Sequence, residues 1–234
     1  MDAEVTEGAS LAYLTVKPDG FTPDGSYPLV IVLHGFGAGM YDLASIAGAL
    51  DPTGYVYAFP NGPYEVDLGI YGTGRSWSAD RPGVIPIAND NTTIDEKLDA
   101  CLAEVIAATG AAPGKIVLAG FSQGAGVTLR YGLLRPDTFA GLAVLSGFFR
   151  DADAIRSQLP IQRTQPIFMV HGRQDPMIPL ESALQTKSFL ETAGYTPEYH
   201  EYDMPHTVNE EVLQDLAPWL HRTVPPKFHD SQGR

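Results

Sequence analysis

The sequence predicts an α/β fold, a mostly parallel sheet with helices on both faces, and three observations carry that prediction. Short apolar runs recur along the chain, the stretches between them have helical periodicity, and glycine and proline gather at the junctions. An apolar run without polar alternation marks a strand covered on both faces, the usual condition of a parallel sheet. Helices between such runs supply the crossovers that parallel strands need.

The elements follow in order. Leu11 to Val16 reads as a first strand, and Gly20 to Pro28 (GFTPDGSYP) is turn chemistry. Leu29 to Leu33 (LVIVL) is the clearest buried strand; Tyr55 to Phe59, Lys115 to Ala119, Leu142 to Leu145 and Ile167 to Val170 repeat its type. Glu198 to Tyr202 is a weaker candidate for the last strand. Between them, Thr92 to Thr109 carries Ile94, Leu98, Cys101, Leu102, Val105 and Ile106 three or four positions apart, one stripe for a sheet face. Glu181 to Ala193 and Val208 to Leu220 read as helices in the same way. No internal repeat or second linker is visible, so residues 1–224 are expected to form one domain and 225–234, opening on Pro225 and Pro226, a loose C-terminal tail.

Charge and composition exclude several classes of function. A net charge of −13, with only 15 Lys and Arg in 234 residues, argues against nucleic acid and against stable membrane association. The lone Cys101 leaves no disulfide framework and no cysteine zinc site. Met1 to Ser10 lacks the basic flank and apolar run of a signal peptide, and no stretch reaches the roughly 18 apolar residues of a membrane span. The expectation is a cytoplasmic protein, monomer or homodimer.

The chemistry centres on Gly120-Phe121-Ser122-Gln123-Gly124, a G-x-S-x-G string. Chance would produce roughly 0.1 such strings in a chain of this composition, so its setting matters more than its letters. It directly follows the strand run KIVLA and opens the helical stretch GAGVTLRYGLL, the strand, sharp turn and helix of a nucleophile elbow. A serine hydroxyl needs a base, and the base an orienting carboxylate, in the chain order Ser, Asp, His. Of six histidines, His34 precedes the elbow in sequence, His171 ends the strand before the last, where this chain order does not place the base, His200 lies within the last strand, His221 ends a helix and His229 is in the tail. His206, in the loop after the last strand, remains as the base. Asp175 follows the strand Ile167 to Val170, at the carboxyl end where α/β sheets gather their sites. Its rival is Asp203, close to His206 in sequence but in an extended segment. The oxyanion needs two backbone donors. Gln123 is one, at a helix N-terminus, and Phe36, in the loop His34-Gly35-Phe36-Gly37, is the other.

At LHGFG, AGFSQGA, HGRQDPMIP and PHTV the chain resembles the carboxylesterase/phospholipase family that includes the acyl-protein thioesterases, over roughly Leu11 to Leu220. The resemblance implies the α/β-hydrolase fold. It also implies ester or thioester hydrolysis by Ser122, Asp175 and His206, with an oxyanion hole from the amides of Phe36 and Gln123. Two positions depart from the pattern. Ala38 stands where members often have Asp, and Ser78 follows Trp77 where they have an aromatic residue.

The expected activity is a serine carboxylesterase acting on short to medium acyl esters through an acyl-enzyme, with a small-molecule ester as partner and no cofactor or metal. An acyl-thioesterase or lysophospholipase with the same triad, an enzyme turning that triad on peptide or carbon-carbon bonds, and a non-catalytic hydrolase-fold binding protein are the alternatives. The stretch Ser146 to Gln165 is too short for a large lid domain, so no lipid interface should be needed. Pro60 to Asn91 is the one long irregular stretch, and such loops are usually functional. It carries Tyr64, Ile70, Tyr71, Trp77, Val84 and Ile85. Ile70, Tyr71 and Trp77, with Phe148 and Phe149 opposite, are expected to wall the substrate cleft.

Overall fold

The computed structural model describes residues 1–85, 87, 90–150 and 152–227. Along the chain the strands are β1 (Asp2–Glu7), β2 (Ala12–Lys17), β3 (Leu29–Leu33), β4 (Val56–Pro60), β5 (Tyr64–Asp67), β6 (Thr73–Ser76), β7 (Val84–Ile85), β8 (Ile116–Phe121), β9 (Phe139–Leu145), β10 (Ile167–Gly172) and β11 (Glu198–Tyr202). The helices are α1 (Ile46–Leu50), α2 (Ile94–Thr109), α3 (Gln123–Gly132), α4 (Ala152–Ile155), α5 (Leu180–Thr192) and α6 (Glu210–Thr223).

Eight strands form the main sheet in the order β1-β2-β4-β3-β8-β9-β10-β11. Every pairing from β4 to β11 is parallel. β1 and β2 run antiparallel at the edge. This is the α/β-hydrolase fold that the sequence predicts. The apolar strands alternate between two cores. Leu29, Ile31 and Leu33 of β3 face a layer built on α2, α3 and α5, while Val30 and Val32 face one built on α1 and α6. A run without polar positions is therefore what a strand between two layers requires, and each fully buried aliphatic side chain contributes about 1.5–3 kcal/mol.

The strand order places the site. The chain leaves β3 to pair β4 on one side and returns to pair β8 on the other. The loops after β3 and β8 thus meet at a topological switch point, where open α/β sheets form a crevice. Leu33 is opposite Gly120 in the register, which brings His34 beside the turn after β8.

Several parts differ from the sequence reading. β1 was not expected, because its residues are almost all exposed and its stability comes from backbone pairing with β2, which leaves no hydrophobic pattern. The irregular stretch from Pro60 holds a second antiparallel sheet, β6-β5-β7, whose strands of two to four residues are likewise held by pairing. Between β9 and β10 the described residues carry only the four-residue α4 and a 3-10 turn, with no lid domain. Residues 224–227 lie against the domain. Val224 is buried, the Lys227 amide donates to the Gly54 carbonyl at 3.0 Å, and its ammonium lies 4.0 Å from the Tyr27 ring centroid. Residues 228–234, with His229, lie outside the described residues. Cys101 is buried in α2, and burial pushes its thiol up to about 12. Among the described residues no helix is long and apolar enough to cross a membrane.

Candidate active site

β8 ends at Phe121 and α3 begins at Gln123, so Ser122 alone turns the chain, at φ 55° and ψ −114°. A non-glycine residue with positive φ is strained by about 1–3 kcal/mol and persists only where its surroundings over-determine it. Here they do. A Cβ at Gly120 would run into the Gly124 carbonyl, and one at Gly124 into the carbonyls of Leu33 and His34. The two glycines of the string let strand, helix and neighbouring loop close on one another, and the serine is forced outward. Its amide donates to the Leu145 carbonyl at 2.9 Å.

The loop after β11 brings His206 to the serine. His206 Nε2 lies 2.9 Å from Ser122 Oγ, and Nδ1 lies 2.7 Å from Asp175 Oδ2. The carboxylate accepts at Nδ1–H, which leaves Nε2 free to accept the serine proton. Asp175 Oδ1 takes the amides of Met177 at 2.8 Å and Ile178 at 2.9 Å, so the turn that carries the carboxylate holds one oxygen and His206 the other. Burial works against the Asp175 charge, but the Ile178 amide, His206 and the Met177 amide outweigh it and hold the carboxyl below its ordinary range. The Asp175 side chain is fully buried and that of His206 is 16% exposed. Asp203, the rival, is turned outward and pairs with Arg173 at 2.8 Å.

Two histidines set aside in the sequence reading support this group. His171 is fully buried behind Asp175, with Nε2 2.9 Å from the Ile178 carbonyl and 3.5 Å from Asp175 Oδ2. It braces the turn that presents the carboxylate. His34 is buried beneath the other loop, its Nε2 accepting from the Gly62 amide at 2.8 Å and its ring tilted at 37° against Trp77 with centroids 5.1 Å apart. Both end apolar strands and precede glycine, a shared pattern that marks strand-end turns. Only the folded chain shows what their rings touch.

Gly35 approaches the elbow so closely that a Cβ there would stand 3.2 Å from Ser122 Cβ, which brings the Phe36 segment alongside Ser122. The segment is held by β6: the Gly37 amide donates to the Arg75 carbonyl at 2.9 Å and the Arg75 amide to the Ala38 carbonyl at 2.8 Å. The amides of Phe36 and Gln123 have no backbone acceptor among the described residues. The Gln123 side chain has a separate task that the sequence did not reveal. Its carbonyl accepts the Trp77 amide at 3.0 Å and its amide donates to Ser76 Oγ at 3.0 Å.

A cleft of about 500 Å³ opens beside Ser122, with Trp77, Phe148 and Phe149 in its lining. Ile70 and Tyr71, expected there, are 94% and 85% exposed at the tip of the β5–β6 hairpin and do not line it. The pairing of β5 with β6 carries that tip away into solvent. Trp77 is almost wholly buried and lends the cleft a fixed wall, its indole donating to the His34 carbonyl at 2.9 Å. Among the described residues no group of three or more His, Cys, Asp or Glu is placed to hold a metal ion.

Comparison with known proteins agrees with this architecture. A family model described as Phospholipase/Carboxylesterase matches residues 23–224. Acyl-protein thioesterase 1 of Kluyveromyces lactis is 33% identical over 141 residues, 57% of this chain and 57% of that protein. Carboxylesterase SOBER1 of Arabidopsis thaliana is 34% identical over 119 residues, 50% of this chain and 52% of that protein. The chain thus spans little more than half the length of these two curated relatives. The crystal structure of Arabidopsis thaliana SOBER1 superposes with a TM-score of 0.68 at 28% identity, covering 84% of this chain and 99% of that one.

Proposed function

This chain belongs to the phospholipase/carboxylesterase family of hydrolases, and from that premise we propose that it is a serine carboxylesterase cleaving short to medium acyl esters through an acyl-enzyme. The observation that carries the reading is the continuous hydrogen-bonded line from Ser122 Oγ through His206 to Asp175, at 2.9 and 2.7 Å. In this mechanism His206 Nε2 takes the Oγ proton while Oγ attacks the ester carbonyl carbon, and Asp175 holds the imidazole in the tautomer that can do so. The amides of Phe36 and Gln123 receive the charge that develops on the carbonyl oxygen, a contribution of about 10²–10³ in rate for each donor. His206 returns the proton to the departing alkoxide. Water, activated by the same imidazole, then releases the acyl group and restores Ser122.

The cleft favours modest acyl chains. Each covered methylene contributes about 0.8 kcal/mol only while it stays inside, and the open, lidless cleft limits how many do. The test is kcat/KM across acyl esters of about two to sixteen carbons, with and without micelles, together with mass detection of an acyl group on Ser122. A maximum at short to medium length and a trapped acyl-Ser122 support the reading. Rising rates at the longest chains, or activation by micelles, overturn the substrate class, and an unmodified Ser122 overturns the mechanism. A second reading, acyl-thioester hydrolysis by the same residues, draws on the relative named acyl-protein thioesterase. A matched oxoester and thioester pair separates the two.

A further inference from the structure

The cleft beside Ser122 has a charge balance unlike that of the chain. Among the described residues its lining holds Arg81, Arg130 and Arg150 against Asp80 and Asp95, a surplus of one positive charge in a protein of net charge −13. The charges are also divided unequally. Arg130 is committed to Asp95, which Arg135 approaches as well, at 3.8 Å. Arg81 and Arg150 have no ion-pair partner within 4.0 Å among the described residues. Their guanidinium groups stand 6.0 Å from the Phe36 ring and 5.7 Å from the Phe148 ring. Both also act on the exposed Asp80, whose carboxyl is held down mainly by the Ser78 hydroxyl and more weakly by the two arginines.

The cleft follows one face of α3. Ser122, Gly126 and Arg130 line it at successive spacings of four residues, so Arg130 marks a point two helical turns, roughly 11 Å, from the nucleophile. Gly126 keeps the passage open, since a Cβ there would come within 3.0 Å of the Phe148 carbonyl. A neutral acyl chain would meet apolar walls on leaving Ser122 and then two guanidinium groups that it cannot engage.

Resting on the ester-hydrolase reading above, the geometry points to a substrate that carries a carboxylate on the part of the ester lying along α3, held between Arg81 and Arg150. Guanidinium and carboxylate match as planar forks, and a charge-assisted contact in a partly enclosed cleft is stronger than a neutral one. The single surplus charge of the described lining residues suits a carboxylate monoanion better than a phosphate monoester, which carries close to two charges at neutral pH.

The experiment uses esters of matched length that end in a carboxylate, a neutral methyl ester or a trimethylammonium group. The ending is placed on the acyl side in one set and on the alcohol side in the other. The carboxylate member is expected to exceed the neutral one in kcat/KM by roughly tenfold in one set, the size of one charge-assisted contact. The cationic member should be slowest, and about 0.5 M salt should narrow the spread. Arg81→Gln and Arg150→Gln should each lower the carboxylate-to-neutral ratio. A neutral ester that does as well in both sets, or a ratio untouched in the double variant, overturns the inference and leaves the ester-hydrolase reading standing. If no ester is turned over, the hydrolase reading fails, and binding decides this one. Glutarate should then raise the Tm of the wild type more than its neutral diamide does, and more than it raises that of the double variant. Equal or absent shifts overturn the carboxylate site.

Discussion

His34 Nε2 accepts the amide hydrogen of Gly62 at 2.8 Å, which ties the loop carrying Phe36 to the chain just beyond β4 and leaves the ring proton on Nδ1. Burial lowers the pKa of this imidazole from 6.5 to about 4. Between those two values the unfolded chain binds a proton that the folded chain refuses, so His34 makes stability fall as pH drops through that window. A gap of this size is worth about 3 kcal/mol at its lower end. Urea unfolding at about pH 7 and about pH 4.5 should show a smaller loss in His34→Gln, which keeps an acceptor for Gly62 but has no titrating ring. Equal losses in the two proteins would remove His34 from the account.

Ser122 can be separated into its chemical and conformational roles. Ser122→Ala should remove nearly all esterase activity, leaving less than about one percent. Ser122→Gly should be equally inactive yet more stable than Ser122→Ala by about 1 kcal/mol, because glycine adopts φ 55° without a Cβ penalty. Thermal unfolding of the two variants, which lack the same hydroxyl, measures the strain directly. A glycine variant no more stable than the alanine one would mean that the turn is relaxed.

The two aspartates give opposite expectations. Asp175→Asn should lower kcat by about 10³–10⁴, since an amide at this position favours the wrong imidazole tautomer, and His206→Ala should be about as damaging as the serine change. Asp203→Asn loses only an exposed pair with Arg173 and should change kcat/KM by less than about twofold. Steady-state kinetics on one nitrophenyl ester decide it. If the Asp203 variant were the crippled one, the acid would have been misassigned.

The Gln123 side chain is expected to matter for stability apart from its backbone amide. Gln123→Ala leaves the Trp77 amide without its acceptor, which should cost about 1–3 kcal/mol. Urea unfolding reads this directly, and Trp77 fluorescence should shift at the same time as its wall loosens. Unchanged stability would show that water replaces the clamp at no cost.

How far the sequence reached depends on what kind of interaction holds each part. β3 lies at the limits read from the sequence, and the other buried strands within a few residues of theirs, because a strand between two helical layers must be apolar throughout. The turn at Ser122 was legible for a similar reason, since glycine on both sides of the serine between a strand and a helix is the local condition for a close backbone approach. Chain order and position at strand ends pointed to Asp175 and His206, two residues that the fold places in one hydrogen-bonded line with Ser122. β1, β5 and β6 were not legible, because polar strands held by backbone pairing leave no periodic mark, and the two residues of β7 are too few to show one. What a residue faces was not legible either. Ile70 and Tyr71 read as cleft walls by composition, yet hairpin pairing carries them to an exposed tip. His34 read only as a residue ahead of the elbow and His171 as a strand end, and their contacts with Gly62 and with the Asp175 turn exist only after segments 28 and 7 positions apart have been brought together. Local pattern determined which segments form strands, helices and the serine turn; the strand order at the switch point, a consequence of packing the whole chain, decided which side chains meet there.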